Sequence, residues 1–148
     1  MPKKSEIGKI GENIAAKFLE NRGFNIIERN FKKNWGEIDI IARDRRGVLV
    51  FVEVKSMKVV NAGYSNNNHE NYNNLKPEDN LTRSKSEKLK RTAGLYAGFN
   101  EKLIKNKLGW RIDLIAIQIP MTKAIGDDYL LKNLEKNFLI NHYENIEI

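Results

Sequence analysis

The chain has 148 residues, 41% of them hydrophobic, and its 26 Lys and Arg side chains against 19 Asp and Glu give a formal net charge of +7. This length and apolar content predict a single folded domain over residues 1–148, and the positive charge favours nucleic acid or another anionic surface as a partner. The absence of cysteine excludes disulfides and thiolate metal sites, and no apolar run is long enough for a transmembrane span, so we expect a soluble, cytoplasmic protein that does not enter a membrane.

The first predicted element is an amphipathic helix over residues 6–22. Its apolar residues recur at helical spacing and form one stripe: Ile7, Ile10, Ile14, Phe18 and Leu19. Gly23 supplies the stop. Gly8 and Gly11 lie on or beside the stripe, which predicts that the helix approaches another backbone closely. Glu12 lies at the border of the stripe, where helix geometry alone favours water over the neighbouring strands.

Three strands are predicted next. Residues 24–31 form a strand at the edge of a sheet, and two more strands follow at 35–43 and 48–57. The connection between the last two is too short for a crossover, so they form an antiparallel hairpin. Both strands of the hairpin carry charged residues among apolar ones, and desolvating charge is costly unless something uses it.

The loop length of the hairpin decides which charged residues meet. A three-residue loop with Gly47 in the left-handed conformation aligns Asp39 with Glu53 and Glu37 with Lys55. These four side chains then share one face of the sheet, and the other face carries four apolar residues: Ile38, Ile40, Val52 and Val54. A loop of two or four residues would instead align Asp39 with Val52.

Two aligned carboxylates repel one another unless a cation binds between them. Mg²⁺ suits such a pair because it binds one or two carboxylates plus water and substrate phosphate, and Mn²⁺ is an alternative. Asp39 and Glu53 therefore predict a divalent-metal site for phosphodiester chemistry. In the competing interpretation, Glu37 and Lys55 form a cross-strand salt bridge, and the two aligned carboxylates are solvated at a strand end.

A basic helix follows a polar segment. Residues 60–80 are rich in Asn and predict a long mobile loop. Residues 84–99 predict a helix with several cations near its N-terminus. Lys85 lies on the core side of that helix, where it would hold a phosphate. Lys88 fits a solvated basic face equally well.

In the last part of the chain, the apolar pattern predicts a strand from Trp110 to Ile119 and a helix over 128–140. A short strand near the end is also compatible with the sequence. Arg111 and Asp113 share a face of the first of these elements and are placed to pair. His69 and His142 belong to no metal-ligand pair, so both are predicted to be surface residues.

This arrangement resembles the YraN-like family of restriction-endonuclease-like proteins. The resemblance lies in five motifs: Glu12, Gly36–Asp39, Phe51–Lys55, Leu81–Lys85 and Arg111–Leu114. It covers roughly residues 8 to 120, and a more distant similarity extends to archaeal Holliday-junction resolvases. It implies an α/β fold with a restriction-endonuclease-like core, in which a central mixed β-sheet with an acidic β-hairpin is flanked by helices.

The resemblance also implies an enzyme, an Mg²⁺-dependent endonuclease-like phosphodiesterase acting in DNA repair, recombination or processing. Asp39, Glu53 and the Val54 carbonyl would bind the metal, Lys55 would act on the attacking water or the phosphate, and Glu12 would complete the site. Five basic residues would contact backbone phosphates: Arg43, Arg45, Arg46, Lys85 and Lys88. DNA ranks ahead of RNA as the substrate, and a homodimer is compatible with the resemblance.

Two positions depart from the family pattern. Met57 stands where relatives often carry arginine two residues past the lysine, and Ser86 stands where they often carry glutamine. The metal-binding positions are retained, so these departures bear on substrate preference more than on catalysis. They leave open a second function, in which the protein binds nucleic acid or acts as an adaptor without catalysis while it keeps the nuclease fold.

Overall fold

The computed structural model describes residues 4–59, 81–105, 107–120 and 138–146. Within these ranges, helices and strands combine in a mixed α/β arrangement. In chain order the elements are α1 (Lys4–Asn21), β1 (Asn25–Lys33), β2 (Gly36–Arg43), β3 (Leu49–Val59), α2 (Arg83–Phe99), β4 (Trp110–Pro120) and β5 (Leu139–Tyr143). A 3-10 turn over Glu101–Leu103 follows α2.

The five strands form one sheet in the order β1-β2-β3-β4-β5. The first three form an antiparallel meander with β1 at an edge, as predicted. The pair β3–β4 is parallel, and α2 lies in the crossover that a parallel pair requires. The last strand, β5, pairs antiparallel with β4 and forms the other edge.

In the described part of the chain, one helix packs on each face of the sheet. The core on the α1 face includes Ile14, Phe18, Leu19, Val50, Val52, Ile115 and Ile117. The core on the α2 face includes Leu89, Ala93, Tyr96, Leu49, Phe51 and Ile112. Because β3 is buried on both faces, its sequence reads as the continuous apolar run Val48–Val52 rather than as an alternating pattern.

The β2–β3 hairpin has the register that a three-residue loop predicts. Its ladder pairs Arg43 with Leu49 and Ile40 with Val52. At the turn, the Asp44 N–H donates to the Val48 carbonyl with an N–O distance of 3.0 Å. Gly47 has a φ of +90°, in the left-handed region that glycine accommodates without steric cost. The next pair in this register would be Asp39 with Glu53, and the ladder ends just before it, at Ile40 and Val52.

Ile38 lies on the other face from the one predicted. It packs with Phe31 on the α2 face, whereas Ile40 packs on the α1 face. Two residues apart on a regular strand would share a face. The neighbouring edge strand is distorted at this level, because Asn30 has a φ of 54° between the pairs Arg29–Ile40 and Phe31–Ile38. Side-chain alternation is therefore interrupted beside Asp39.

Both helices match their predictions in position, although α2 begins at Arg83 and Thr82 caps it. The Asn-rich segment predicted over 60–80 lies outside the described residues. The helix predicted over 128–140 also lies largely outside them, but Leu139 and Ile140 belong to β5, where pairing with β4 replaces the helical periodicity. No helix in the described part of the chain is long and apolar enough to cross a membrane.

Candidate metal and nucleic-acid site

Asp39 lies where the β2–β3 ladder ends. The last backbone pair is Ile40 with Val52, and the alternation of an antiparallel ladder would next join the Val54 N–H to the Ile38 carbonyl. Instead, the Val54 N–H donates to the Asp39 carboxylate, with 2.8 Å between Val54 N and Asp39 Oδ2. Because the N–H and C=O of a strand residue point to the same neighbour, the Val54 carbonyl also faces this position.

The Asp39 carboxyl group is costly to ionise. Burial, and after it the charge of Glu53, raise the pKa of Asp39 from its ordinary value of 3.8 to about 7. The charge of Glu12 also raises this pKa, whereas the Val54 N–H and Lys55 lower it. At neutral pH, the ionised form of this group is therefore only partly stabilised by its surroundings. A divalent cation would favour the ionised form of both Asp39 and Glu53.

Glu53 and Lys55 lie two residues apart on β3 and share a face. Lys55 Nζ is 3.0 Å from Glu53 Oε1, and only 25% and 19% of the two side chains are exposed. Glu37, the alternative partner predicted for Lys55, forms an ion pair with Lys32 at 3.5 Å instead. The amine of Lys55 is thus held directly beside a carboxylate of the predicted metal site.

Glu12 reaches the same group of charges from α1. Burial raises the pKa of Glu12, and the charge of Glu53 adds to the rise, while Arg29 and a hydrogen bond with the Asn30 side chain lower it. Because Glu12 in turn raises the pKa of Asp39, the three carboxylates lie within electrostatic reach of one another. Glu12 is partly buried, and its side chain hydrogen-bonds to Asn30 on β1.

A cleft of about 300 Å³ joins the acidic residues to α2. Its lining consists of Glu37, Asp39, Glu53, Lys55, Leu81, Lys85, Lys88 and Leu89. Lys85 lies in the first turn of α2, where the Thr82 hydroxyl accepts its backbone N–H at 3.3 Å. The N-terminus of a helix favours anions through its free N–H groups and its macrodipole. One cleft therefore combines carboxylates suited to a cation with lysines suited to a phosphate.

The predicted metal ligands are oxygen donors, the kind of ligand that Mg²⁺ binds. Among the residues that the structure describes, no three or more His, Cys, Asp and Glu side chains form a group that could hold an ion. Mg²⁺ requires only one or two carboxylates, because water and substrate phosphate supply its remaining oxygen ligands. Asp39, Glu53 and the Val54 carbonyl are oxygen donors of that kind.

The three predicted arginine contacts lie at the other end of the hairpin. Arg43 Nη2 donates to the Leu103 carbonyl at 2.6 Å. Arg45 and Arg46 line a separate cavity of about 700 Å³ at the hairpin turn. Four residues of β2, about 13 Å of extended strand, separate Asp39 from that turn. The structure thus brings the two lysines of α2 to the acidic residues, but not the three arginines.

A buried polar network on β4 has more members than the sequence indicates. Asp113 is fully buried, and its carboxylate lies 2.9 Å from Arg111 Nε and 2.8 Å from His142 Nε2. It also accepts the Asn145 N–H at 2.9 Å, and Arg111 extends the network to Asp44 at 2.6 Å. The predicted Arg111–Asp113 pair is confirmed. The prediction of a surface His142 is wrong, because a buried carboxylate needs donors and this ring supplies one.

The only signal in the sequence for this network is a charged residue inside the apolar strand Ile112-Asp113-Leu114. That signal marks Asp113 as a residue with partners. It does not identify His142, which approaches from a strand 29 residues further along the chain.

Comparison with known proteins gives one consistent family. The profile described as uncharacterised protein family UPF0102 matches residues 11–117, which include Glu12, Asp39, Glu53, Lys55 and Lys85. A UPF0102 protein of Clostridium botulinum (strain Loch Maree / Type A3) is 36% identical over 135 residues, covering 91% of this chain and 95% of the relative. A UPF0102 protein of Dictyoglomus turgidum is 34% identical over 126 residues, covering 84% of this chain and 93% of the relative. Since the profile spans most of the chain and these relatives match over nearly their whole length, this protein belongs to the UPF0102 family.

Proposed function

We propose that this protein is an Mg²⁺-dependent nuclease that hydrolyses phosphodiester bonds in DNA, with Mn²⁺ as an alternative metal. The observation that carries the proposal is the single cleft in which Asp39, Glu53 and Lys55 lie together with Lys85 and Lys88. The mixed sheet, with its acidic hairpin between a helix on each face, supports the assignment of a restriction-endonuclease-like core.

The metal ligands in this proposal are Asp39, Glu53 and the Val54 carbonyl. The hydrogen bond from the Val54 N–H, at 2.8 Å, orients Asp39 before any cation binds. When bound, the cation would polarise the phosphate and lower the pKa of the attacking water. Glu12 completes the acidic group on the side of α1.

Lys55 and Lys85 act on the phosphate. Because Lys55 Nζ lies 3.0 Å from Glu53, it is placed beside any phosphate oxygen that shares the metal. Its charge would stabilise the negative charge that develops on that phosphate in the transition state. Lys85, with the N-terminal turn of α2, would neutralise the phosphate of the scissile or adjacent nucleotide.

Nucleic acid is the substrate that the charges of the cleft support. Lys85 and Lys88 are exposed on α2, and the chain carries a formal net charge of +7. Contacts of this kind bind the sugar-phosphate backbone without reading sequence, and they weaken steeply with salt. Arg43, Arg45 and Arg46 would meet the same nucleic acid only where it extends to the hairpin turn.

A second candidate is a nucleic-acid-binding or adaptor protein without catalysis. Ser86 favours it, because its side chain is buried beneath α2 and lies outside the lining of the cleft. A buried serine at this position presents no side chain to the cleft, whereas relatives often carry a glutamine there. This candidate predicts DNA binding that is independent of Mg²⁺ and of Asp39.

Cleavage assays separate the two candidates. Labelled single-stranded, duplex, flapped and four-way-junction DNA, with RNA counterparts, are incubated with Mg²⁺, Mn²⁺ or EDTA. Asp39→Ala and Glu53→Ala are the test variants, and Glu20→Ala, an exposed carboxylate far along α1, is the matched control. Metal-dependent cleavage that falls about 100-fold or more in both test variants, and persists in the control, supports the nuclease. Binding without cleavage that both test variants retain supports the adaptor.

A further inference from the structure

Helix α1 meets β3 at a contact that leaves no room for a side chain. A Cβ atom added to Gly11 would lie 1.7 Å from Ser56 Oγ and 2.9 Å from Ser56 Cβ. Rotation of the serine side chain would move the hydroxyl away, but the distance between the two Cβ atoms would still be too short. Gly8, one turn earlier on α1, has nothing within 4 Å of an added Cβ. The close approach is therefore specific to Gly11.

Glycine in the middle of a helix has a cost. It destabilises a helix by about 1 kcal/mol relative to alanine, so a glycine inside α1 needs a compensating close contact with its neighbour. At Gly11, the absence of a side chain allows α1 to lie closer to the sheet. That close approach is fixed between two residues of the proposed site, because Gly11 precedes Glu12 and Ser56 follows Lys55.

A second set of contacts holds the same part of α1 over β1. The Asn30 side chain hydrogen-bonds Glu12, and Arg29 Nη2 donates to Asn13 Oδ1 at 2.6 Å. Asn30 lies at the level of Asp39, since the flanking pairs join Arg29 to Ile40 and Phe31 to Ile38. Helix α1 is thus attached on both sides of the point where the β2–β3 ladder ends.

We propose that the Gly11–Ser56 contact is a positioning element that sets the distance from Glu12 to the metal-binding carboxylates Asp39 and Glu53. This role rests on the proposed function, because it treats Glu12 as part of a divalent-cation site. Neither Gly11 nor Ser56 touches the cation or the substrate in this scheme. Both act through the placement of α1.

The Gly11–Ser56 contact cannot accommodate an added methyl group unless α1 moves. Carbon atoms pack best about 3.5–4.0 Å apart, so a methyl group on Gly11, 2.9 Å from Ser56 Cβ, would displace α1 from β3 by about 0.6–1.1 Å. Functional groups at a metal site need placement within about 0.5 Å. Substitutions of groups that orient metal ligands typically weaken metal binding by about 10- to 100-fold.

Mn²⁺ binding by the full-length protein, measured by calorimetry without substrate, tests the proposal. Gly11→Ala should weaken Mn²⁺ binding about 10-fold or more. Gly11→Ala/Ser56→Gly should restore it to within about threefold, because removal of the serine side chain leaves Val54 Cγ1 as the nearest atom, at 3.9 Å. Gly8→Ala is the control and should bind as the wild type does, because nothing lies within 4 Å of a Cβ added at Gly8. Ser56→Thr, which adds one methyl group at the same contact, replaces Gly11→Ala if that variant does not fold.

A double-mutant cycle with Glu12→Gln distinguishes positioning from a general loss of structure. If Gly11 acts through Glu12, Gly11→Ala should have no further effect on Mn²⁺ affinity in the Glu12→Gln background. If Gly11→Ala weakens Mn²⁺ binding equally in the wild-type and Glu12→Gln backgrounds, or does not weaken it at all, the positioning role is overturned. Neither result would contradict the metal site itself. Absence of Mn²⁺ binding in the wild type would overturn the proposed function, and the positioning role with it.

Discussion

Replacement of Asp39 by asparagine removes the buried charge and keeps the hydrogen bond. It therefore separates the contributions of these two features to the free energy of unfolding. Asparagine keeps an oxygen that accepts the Val54 N–H, which is 2.8 Å from Asp39 Oδ2 in the wild type. It removes the charge that burial and Glu53 disfavour. Because the folded-state pKa of Asp39 is raised from 3.8 to about 7, the wild type loses stability as the pH rises through that interval.

The pKa difference sets the size of the effect. At about 1.4 kcal/mol per pKa unit, a rise from 3.8 to about 7 corresponds to about 4 kcal/mol in the free energy of unfolding. Asparagine is a weaker acceptor than a carboxylate, so part of this gain is offset. We therefore expect Asp39→Asn to be more stable than the wild type by about 2–4 kcal/mol near pH 8, and by less than about 1 kcal/mol near pH 4.

Urea denaturation followed by circular dichroism, from about pH 4 to about pH 8 in EDTA, measures this difference. Excess Mg²⁺ should stabilise the wild type and leave Asp39→Asn little changed, because the cation binds the ionised site. Glu37→Gln is the matched control on the same strand. Its carboxylate is 66% exposed, so its stability should differ by no more than about 0.5 kcal/mol. A gap between Asp39→Asn and the wild type that does not change with pH would refute the reasoning, as would a less stable variant near pH 8.

Three further changes test other parts of the structure. Gly36→Ala would place a Cβ 1.9 Å from Thr92 Oγ1, where α2 packs on β2, and should lower the urea-derived free energy of unfolding by about 1–3 kcal/mol. Asp113→Asn removes one of the two buried carboxylates that pair with Arg111, while Asp44 remains at 2.6 Å, and should lower the same quantity by about 1–3 kcal/mol near neutral pH. Lys85→Ala should reduce the slope of log affinity against log salt for a short duplex by about one, measured by fluorescence anisotropy, whereas Arg45→Ala at the hairpin turn should leave that slope unchanged.

The hairpin register follows from the sequence because few loop geometries are available. Once Gly47 takes the left-handed conformation, the pairs from Arg43–Leu49 to Ile40–Val52 are fixed. The face of Ile38 does not follow. It depends on the distortion at Asn30, and nothing in the local sequence requires that residue to adopt a φ of 54°.

The parts of the site that come from distant segments are the least accessible to sequence reasoning. Helical periodicity places Glu12 only at the border of an apolar stripe. The Gly11–Ser56 contact, where α1 lies close to β3, joins residues 45 positions apart. Asp113 and His142 are likewise paired across 29 residues, and both become buried only when β5 adds to the edge of the sheet. Such contacts depend on the packed fold rather than on any local pattern.

The hydrogen bond that ends the β2–β3 ladder also gives the protein an internal spectroscopic reporter. The Val54 amide donates to a side chain whose charge changes, whereas its neighbours on β3 donate to backbone carbonyls of constant charge. Its proton chemical shift should therefore follow the ionisation of Asp39 and respond again when a cation draws electron density from that carboxylate. One backbone resonance would thus record whether the cleft is protonated, charged or metal-bound without any label placed inside it.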